Sequence, residues 1–301
     1  MIVVGTADGL VELALDGTLI RQALAGVQVE GISGDWALTE GRVVSLRTGA
    51  VVELPGDLVA TAVLAGPRGR ALVGTEGAHL VPLGGPGRPL ADGAFEGAPG
   101  RSSWASPWGG APVVRSLSAG AEGPLVGVHV GGVWRTNGDG WAEAVAAEAE
   151  ALQVVAAGKA VAVGAATGVG LSTDGGRTWD WSDEGLPGSY CRAVALADGW
   201  LVAAVAPEQG ARRSVLVRRP VGDAGRGFVR CGDSGKDDLP DAFDHLVDTF
   251  SLAAEGPNVA LGTPGGDLFV SQDSGATWDI VADSLPGVGC LAVRPPAAEA
   301  G

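Results

Sequence analysis

The chain has 301 residues, a formal net charge of -15 and 46% hydrophobic residues, so it can bury a large core beneath an acidic surface. This charge argues against binding to nucleic acids and to anionic membranes, because both require a basic footprint on the protein. The 51 glycines and 18 prolines argue against a helical protein and are typical of many short strands joined by tight turns.

A pattern of an apolar strand, a glycine turn and a second strand recurs along the chain. Its seven instances begin, in chain order, at Ile2, Trp36, Ala71, Leu125, Ala160, Leu201 and Val259. Dividing 301 residues by seven gives 43 per unit, near the ~40–50 expected for a four-stranded blade. The repeat therefore predicts an all-β chain: a seven-bladed propeller of four-stranded antiparallel blades, formed as one domain by residues 1–294.

Two octapeptides in the fifth and seventh units share the pattern S-x-D-x-G-x-T-W. They run from Ser172 to Trp179 and from Ser271 to Trp278, and each follows an apolar strand. A short acidic side chain can accept hydrogen bonds from backbone N–H groups in a tight turn, and glycine adopts angles that a Cβ forbids. Each octapeptide is therefore predicted to be a hairpin connection anchored by its tryptophan.

The octapeptide resembles the Asp-box, or BNR repeat, of the β-propellers of sialidases, sortilin-type receptors and photosystem II assembly factors. In those families the box lies between the third and fourth strands of a blade, on the rim away from the substrate-binding face. The resemblance implies a structural role for Asp174 and Asp273, rather than a catalytic or metal-binding one. The residues assigned to this role are Ser172, Asp174, Gly176, Thr178, Trp179, Ser271, Asp273, Gly275, Thr277 and Trp278.

The two ends of the chain are predicted to complete one blade together. The first unit lacks an innermost strand, because the chain starts at what should be its second strand. A spare apolar segment, Gly289 to Arg294, follows the last unit and can supply the missing strand, which would close the ring and remove its exposed edges. Residues 295–301 are expected to form a frayed tail.

Two insertions interrupt the repeat, at residues 84–111 and 231–249. The first is rich in glycine and proline and carries Trp104 and Trp108, whereas the second is acidic and includes Leu239 to Phe250, which could form a short helix. Both fall between the last strand of one unit and the first strand of the next. In a propeller this junction lies at the channel mouth opposite the Asp-boxes, where long loops are often functional.

Candidate binding residues are those expected at this channel mouth: Trp104, Trp108, His129, Tyr190, Arg192, Asp237, Asp238 and His245. The two tryptophans could form a stacking platform or could pin the loop onto the ring. The aspartates lack the ligand spacing of a calcium loop, and the three histidines are scattered, so no metal site and no cofactor are expected.

Two functional classes remain open. The first is a non-enzymatic binding module, a monomer that presents an unknown protein or small ligand with a site at the channel mouth. The second is a sialidase-like glycoside hydrolase, in which Tyr190 would be the nucleophile, Glu184 its partner, and Arg115, Arg192 and Arg212 the substrate clamp. The Arg-Ile-Pro motif of sialidases is missing, which favours the binding module. Three isolated cysteines and the lack of a signal-type segment predict a cytoplasmic protein.

Overall fold

The computed structural model describes residues 1–84, 93–138, 140–223, 225–232 and 238–295. Within these ranges the strands form seven antiparallel sheets, and the innermost strands of neighbouring sheets contact one another around a closed ring. Each sheet is one blade. The chain is therefore a seven-bladed β-propeller, as the repeat predicts.

The first four blades follow one another along the chain. Blade 1 begins with β1 (Ile2–Thr6), β2 (Gly9–Leu13) and β3 (Leu19–Ala23). Blade 2 contains β4 (Gly31–Ser33), β5 (Trp36–Thr39), β6 (Arg42–Ser45) and β7 (Val51–Val52). Blade 3 contains β8 (Ala60–Ala65), β9 (Ala71–Thr75) and β10 (Leu80–Leu83). Blade 4 contains β11 (Val114–Gly120), β12 (Gly123–Val128), β13 (Gly132–Asn137) and β14 (Gly140–Val145).

The last three blades complete the ring. Blade 5 contains β15 (Ala151–Ala157), β16 (Ala160–Ala165) and β17 (Gly168–Ser172). Blade 6 contains β18 (Tyr190–Ala197), β19 (Trp200–Ala206), β20 (Val215–Pro220) and β21 (Val229–Arg230). Blade 7 contains β22 (Leu252–Glu255), β23 (Asn258–Gly262), β24 (Leu268–Ser271) and β25 (Asp279–Ala282), and β26 (Val288–Val293) follows it.

Helical structure in the described ranges is confined to short 3-10 segments. They are Pro67–Gly69, Gly93–Gly97, Arg101–Ser103 and Ala147–Ala149. None of the helices in these ranges is long and apolar enough to cross a membrane.

Strand β26 closes the ring. It lies antiparallel to β1, with Leu291 opposite Val4, and becomes the innermost strand of blade 1. It also contacts β4 and β22, the innermost strands of the blades on either side. The predicted pairing of the C-terminal strand with the N-terminal blade is thereby confirmed, and the seam between the first and last blades has no open edge.

Apolar side chains fill the spaces between adjacent blades. Between blades 6 and 7, Val202 and Leu216 pack with Leu261 and Trp278, and none of the four is more than 2% exposed. Burying a side chain of this size contributes roughly 1.5–3 kcal/mol. Strands β1, β9 and β17 are buried at every residue because blades cover both of their faces. This two-sided burial explains why the sequence shows continuous apolar runs instead of alternation.

A belt of polar side chains joins the innermost strands of neighbouring blades. There are seven junctions between neighbouring innermost strands. At each junction, a side chain at or near one strand forms a hydrogen bond with a backbone group at or near the other strand. We call these side chains the polar belt: Ser33, Thr61, Ser116, Ser118, Gln153, Thr249, Ser251 and Cys290. In one example the Gln153 Oε1 atom accepts the Val194 N–H at 3.0 Å, and both residues are buried. The belt thus uses backbone groups at the inner edge that would otherwise have no strand partner.

The two octapeptides form the expected turns after β17 and β24. In the first, Asp174 Oδ1 accepts the N–H groups of Arg177 and Thr178, both at 2.9 Å, while Oδ2 accepts the Thr178 hydroxyl at 2.7 Å. The backbone N–H of Gly176, which has a φ of +84°, donates to the Ser172 hydroxyl. The second octapeptide repeats this pattern with Ser271, Asp273, Gly275 and Thr277.

The segment from Leu239 to Phe250 is not helical, so the expectation of a short helix there is wrong. Its backbone is irregular, and Phe243 forms an isolated bridge with Ser214 beside β20. Phe243 and Val247 pack into the core between blades 6 and 7, and Leu239 lies against that core. This tertiary packing, together with Pro240 near the start of the segment, favours an extended path over a helix.

The hydrogen bonds to Asp174 predict its contribution to stability. Removing its carboxylate in Asp174→Ala leaves two turn N–H groups and the hydroxyls of Thr178 and Ser172 without their acceptor, and we expect a loss of about 1–2 kcal/mol. The Thr178 backbone N–H, followed by the Thr178 hydroxyl, lowers the pKa of Asp174, so its contribution is present above pH ~4 and is lost on acidification below that value. Thermal melts at pH 7 and at lower pH measure both effects. The exposed Asp57→Ala is the control, and equal melting temperatures for the two variants at pH 7 would refute the turn role.

Candidate functional site

A cavity of about 670 Å³ with a charged lining lies on the mouth face, where the innermost strands begin. It lies on the face opposite the octapeptide turns, since those turns adjoin the hairpins at the far ends of the innermost strands. For example, the N–H of Gly175 bonds Lys159 between β15 and β16. We call it the mouth cavity, and its polar lining includes Glu30, Thr61, Glu76, Arg115, Arg192 and Thr249.

β-Bulges at the starts of the innermost strands place side chains at this mouth. The pairing register shifts by one residue in β8, β11, β15, β18 and β26, and the extra residues are Thr61, Arg115, Leu152, Arg192 and Gly289. A bulge interrupts the alternation of side chains and re-aims one of them. All of these extra residues except Leu152 line the mouth cavity, so the bulges supply its two arginines.

Arg115 and Arg192 converge on one carboxylate. The Nη2 atom of Arg192 lies 2.8 Å from Oδ1 of Asp248, and that of Arg115 lies 3.7 Å from the same oxygen. Arg115 Nη2 also donates to the Thr249 hydroxyl at 3.1 Å, which in turn donates to the Arg192 carbonyl at 3.2 Å. The two guanidinium groups are mostly buried, whereas the Asp248 side chain is 51% exposed. We refer to Arg115 and Arg192 as the arginine pair.

The electrostatics of the site reflect this crowding of positive charge. Burial lowers the pKa of Arg115 and the nearby Arg192 lowers it further, while Asp248 and Tyr190 offset part of the effect. Burial also lowers the pKa of His129 to about 4, with further contributions from Arg115 and Arg192. His129 is therefore neutral at pH 7 and can act as a hydrogen-bonding group without adding charge.

Two of the predicted binding residues, Tyr190 and His129, lie near enough to Arg115 for a mutual electrostatic influence, and a third, Trp108, lies against His129. Tyr190 is buried at the start of β18, where it packs with Leu152 and Ala206. His129 is buried between β12 and β13, and its ring meets that of Trp108 edge-on, with centroids 5.2 Å apart. Trp108 is 80% exposed, so its ring is available at the rim. These three residues lie behind or beside the arginine pair, and none of them is part of the lining of the mouth cavity.

Of the other predicted residues, those that the structure describes do not line the mouth cavity. Trp104 is buried against Phe95 and Trp134, so it holds its loop on the ring and offers little surface to a ligand. Asp238 caps the outer strand of blade 7, where its Oδ2 atom accepts the Ile280 N–H at 3.0 Å. Asp237 lies outside the described residues. His245 pairs with Asp244 at 3.0 Å.

The alternative catalytic residues are not all brought together. Glu184 is exposed and its carbonyl accepts the N–H of Phe228 next to the outer strand of blade 6, whereas Tyr190 begins the innermost strand. Arg212 is exposed on the loop between β19 and β20. Of the five residues in that group, only Tyr190, Arg115 and Arg192 lie close together.

Sequence reasoning missed the site roles of Asp248, Thr249 and Glu30. Asp248 stood out only as one of many acidic residues of the second insertion, although it is the one that reaches the arginine pair. The bulges leave no local composition signal, so the shared position of Thr61, Arg115 and Arg192 becomes visible only in the strand pairing. In the described residues, no group of three or more histidine, cysteine or acidic side chains is arranged to hold a metal ion.

A second cavity, of about 730 Å³, lies toward the other end of the channel, where the innermost strands end. Its charged lining residues, Asp198, Glu255 and Arg294, come from different blades, and most of the remaining lining is apolar. Phe250 lines both cavities and so separates them. The convergent polar groups are at the mouth cavity, which is the feature expected of a ligand site.

Comparison with known proteins shows the fold alone. No family model matches the chain, and no curated protein does. Among solved structures, it is similar to the computationally designed Ika8 protein, with a TM-score of 0.56 and 15% identity over 97% of this chain and 90% of that one.

Two natural proteins have comparable similarity. The GH74 xyloglucanase of Xanthomonas campestris matches with a TM-score of 0.52 and 15% identity over 93% of this chain, but the match spans only 46% of the xyloglucanase. A catalytically inactive virginiamycin B lyase from Staphylococcus aureus, solved with quinupristin, matches with a TM-score of 0.51 and 13% identity over 89% of this chain and 86% of the lyase. At these identities the resemblance supports a β-propeller and carries no activity to this chain.

Proposed function

We propose that the chain is a non-enzymatic binding propeller of the Asp-box type, and that its mouth cavity binds a small ligand through a carboxylate. The observation that carries this proposal is the convergence of Arg115 and Arg192 on a single, half-exposed carboxylate, Asp248. Two mostly buried guanidinium groups with one counter-ion form an electrostatically incomplete arrangement, which a second carboxylate completes.

The arginine pair has hydrogen-bonding capacity to spare. The Nε atoms of both arginines are buried and make no hydrogen bond within the described part of the protein, so a ligand would use the Nη groups of these side chains, which are 21% and 26% exposed. A guanidinium group binds carboxylates through two parallel N–H groups, and such charge-assisted bonds are stronger than neutral ones. A ligand carboxylate can therefore share the pair with Asp248 or compete with it, because the Asp248 side chain is half-exposed, although its Oδ1 atom also accepts the Thr249 N–H at 2.6 Å.

Neutral groups around the pair suit a small organic ligand. His129 is uncharged at pH 7, and the Trp108 ring is exposed at the rim. The cavity volume of about 670 Å³ lies within the range of ~300–1,000 Å³ typical of ligand pockets. A polyanion is disfavoured, because the chain as a whole carries a net charge of -15.

The proximity of Tyr190 to Arg115 favours the hydrolase alternative, whereas the position of Glu184 argues against it. Tyr190 lies near enough to Arg115 to influence the pKa of that arginine, as a nucleophile beside a substrate clamp would. Glu184, the proposed activating partner, instead lies next to Phe228 at the outer part of blade 6. A tyrosine nucleophile needs an adjacent base, so this separation favours a binding site over a catalytic one.

Binding of simple carboxylates tests the proposal. We expect succinate and N-acetylglycine to stabilise the wild-type protein in thermal-shift assays and to bind in calorimetric titrations. Arg192→Gln removes the shortest ion pair of the site and should weaken binding by about tenfold or more. Asp248→Asn removes the internal competitor and should tighten binding.

The exposed Arg212→Gln is the matched control and should bind as the wild type does. Unchanged affinity in Arg192→Gln would overturn the proposal. So would the absence of carboxylate binding in both the wild type and Asp248→Asn.

A fluorogenic sialic acid glycoside separates the two functional classes. We expect no turnover, because Tyr190 lacks the Glu184 contact that would activate it. Measured turnover that Tyr190→Phe abolishes, with the melting temperature unchanged, would establish the hydrolase instead.

A further inference from the structure

The mouth cavity carries negative charge as well as the arginine pair. Glu30 leads into β4 of blade 2, and Glu76 follows β9 of blade 3, and both line the same cavity as Arg115 and Arg192. Both glutamates are exposed. The lining is therefore divided into an acidic arc on blades 2 and 3 and a basic arc on blades 4 and 6.

The two glutamates have no cationic partner in the described ranges. Neither lies within an ion-pair distance of a lysine, arginine or histidine there, in contrast to Asp248. Among the described residues, the side chain of Glu30 accepts one hydrogen bond, a long one of 3.5 Å from the Gly41 N–H. The acidic arc is thus available to a cation, just as the basic arc is available to an anion.

We propose that the mouth cavity selects a zwitterionic small molecule, such as a short peptide with free termini. Its carboxylate would bind the arginine pair and its ammonium group would bind Glu30 and Glu76. This inference rests on the proposed carboxylate site and adds the second charge of the ligand. It also explains the division of the lining, since a simple anion would leave both glutamates without a cationic partner and would bind less tightly because of their charge.

The size of the cavity and the placement of its charges favour a small ligand over a folded partner. The charged residues lie on the starts of innermost strands and on the turns beside them, inside a ring whose core packing fixes their backbone positions. A concave site with a few convergent polar groups is the arrangement that small-molecule sites share.

Three forms of one peptide test the inference. Trialanine carries both charges, N-acetyl-trialanine keeps only the carboxylate, and trialanine amide keeps only the ammonium group. In calorimetric titrations at pH 7 we expect trialanine to bind about tenfold more tightly than the N-acetylated form. Trialanine amide should bind most weakly, because Arg115 and Arg192 then lose their partner.

Variants of the cavity lining test whether the ammonium group of the ligand binds the acidic arc. Glu30→Gln combined with Glu76→Gln should lower trialanine affinity to that of N-acetyl-trialanine and leave the binding of the N-acetylated form no weaker. Glu255→Gln makes the same change at the other cavity and is the matched control. Retained melting temperatures establish that the variants are folded.

The outcomes separate this inference from the proposed function. Equal affinity for trialanine and N-acetyl-trialanine would overturn zwitterion selection while the carboxylate site stands. Binding that the glutamate variants do not change would overturn it as well. Failure of every carboxylate form to bind, or equal binding by wild type and Arg192→Gln, would overturn both.

Discussion

The hydrogen bonds of the polar belt are the constraint on which the rest of this propeller depends. An innermost strand has a strand partner on one side only, so its other edge faces the channel with unused N–H and C=O groups. Side chains such as Gln153 and Ser116 reach across to the next blade and use some of these groups. The same contacts join adjacent blades, so one set of bonds both satisfies the inner edge and holds the ring together.

The candidate site is built from the same elements as the belt. In β11 and β18 a bulge places Arg115 and Arg192 at the mouth, and in β11 the next residue, Ser116, belongs to the belt. Thr249 belongs to both: its hydroxyl donates to the Arg192 carbonyl in the belt and accepts from Arg115. A rigid ring therefore holds two like charges close together, and this proximity gives the mouth its affinity for a carboxylate in our proposal.

The sequence was sufficient for the architecture because its signals are local and repeated. Each unit repeats the same run of apolar strands, and the spare segment Gly289 to Arg294 predicted the ring closure that β26 makes. The site was only partly predictable. The location of Arg192 at the mouth followed from counting strands, whereas the bulges and the ion pair of Asp248 with Arg192 depend on how strands and loops pack in the folded chain. The expected helix from Leu239 to Phe250 failed for the same reason, since Phe243 pairs with Ser214 instead.

A double-mutant cycle between Thr249 and Arg115 measures most directly whether one hydroxyl links the ring to the site. Chemical unfolding of the wild type, Thr249→Val, Arg115→Gln and the double variant gives the coupling free energy between the two side chains. Our account predicts a coupling of about 0.5–3 kcal/mol for this pair. It predicts additivity for Thr249→Val with Arg47→Gln, since the exposed Arg47 pairs with Asp35 of blade 2 and shares no partner with Thr249. Additive effects of Thr249→Val and Arg115→Gln, within about 0.3–0.5 kcal/mol, would contradict it.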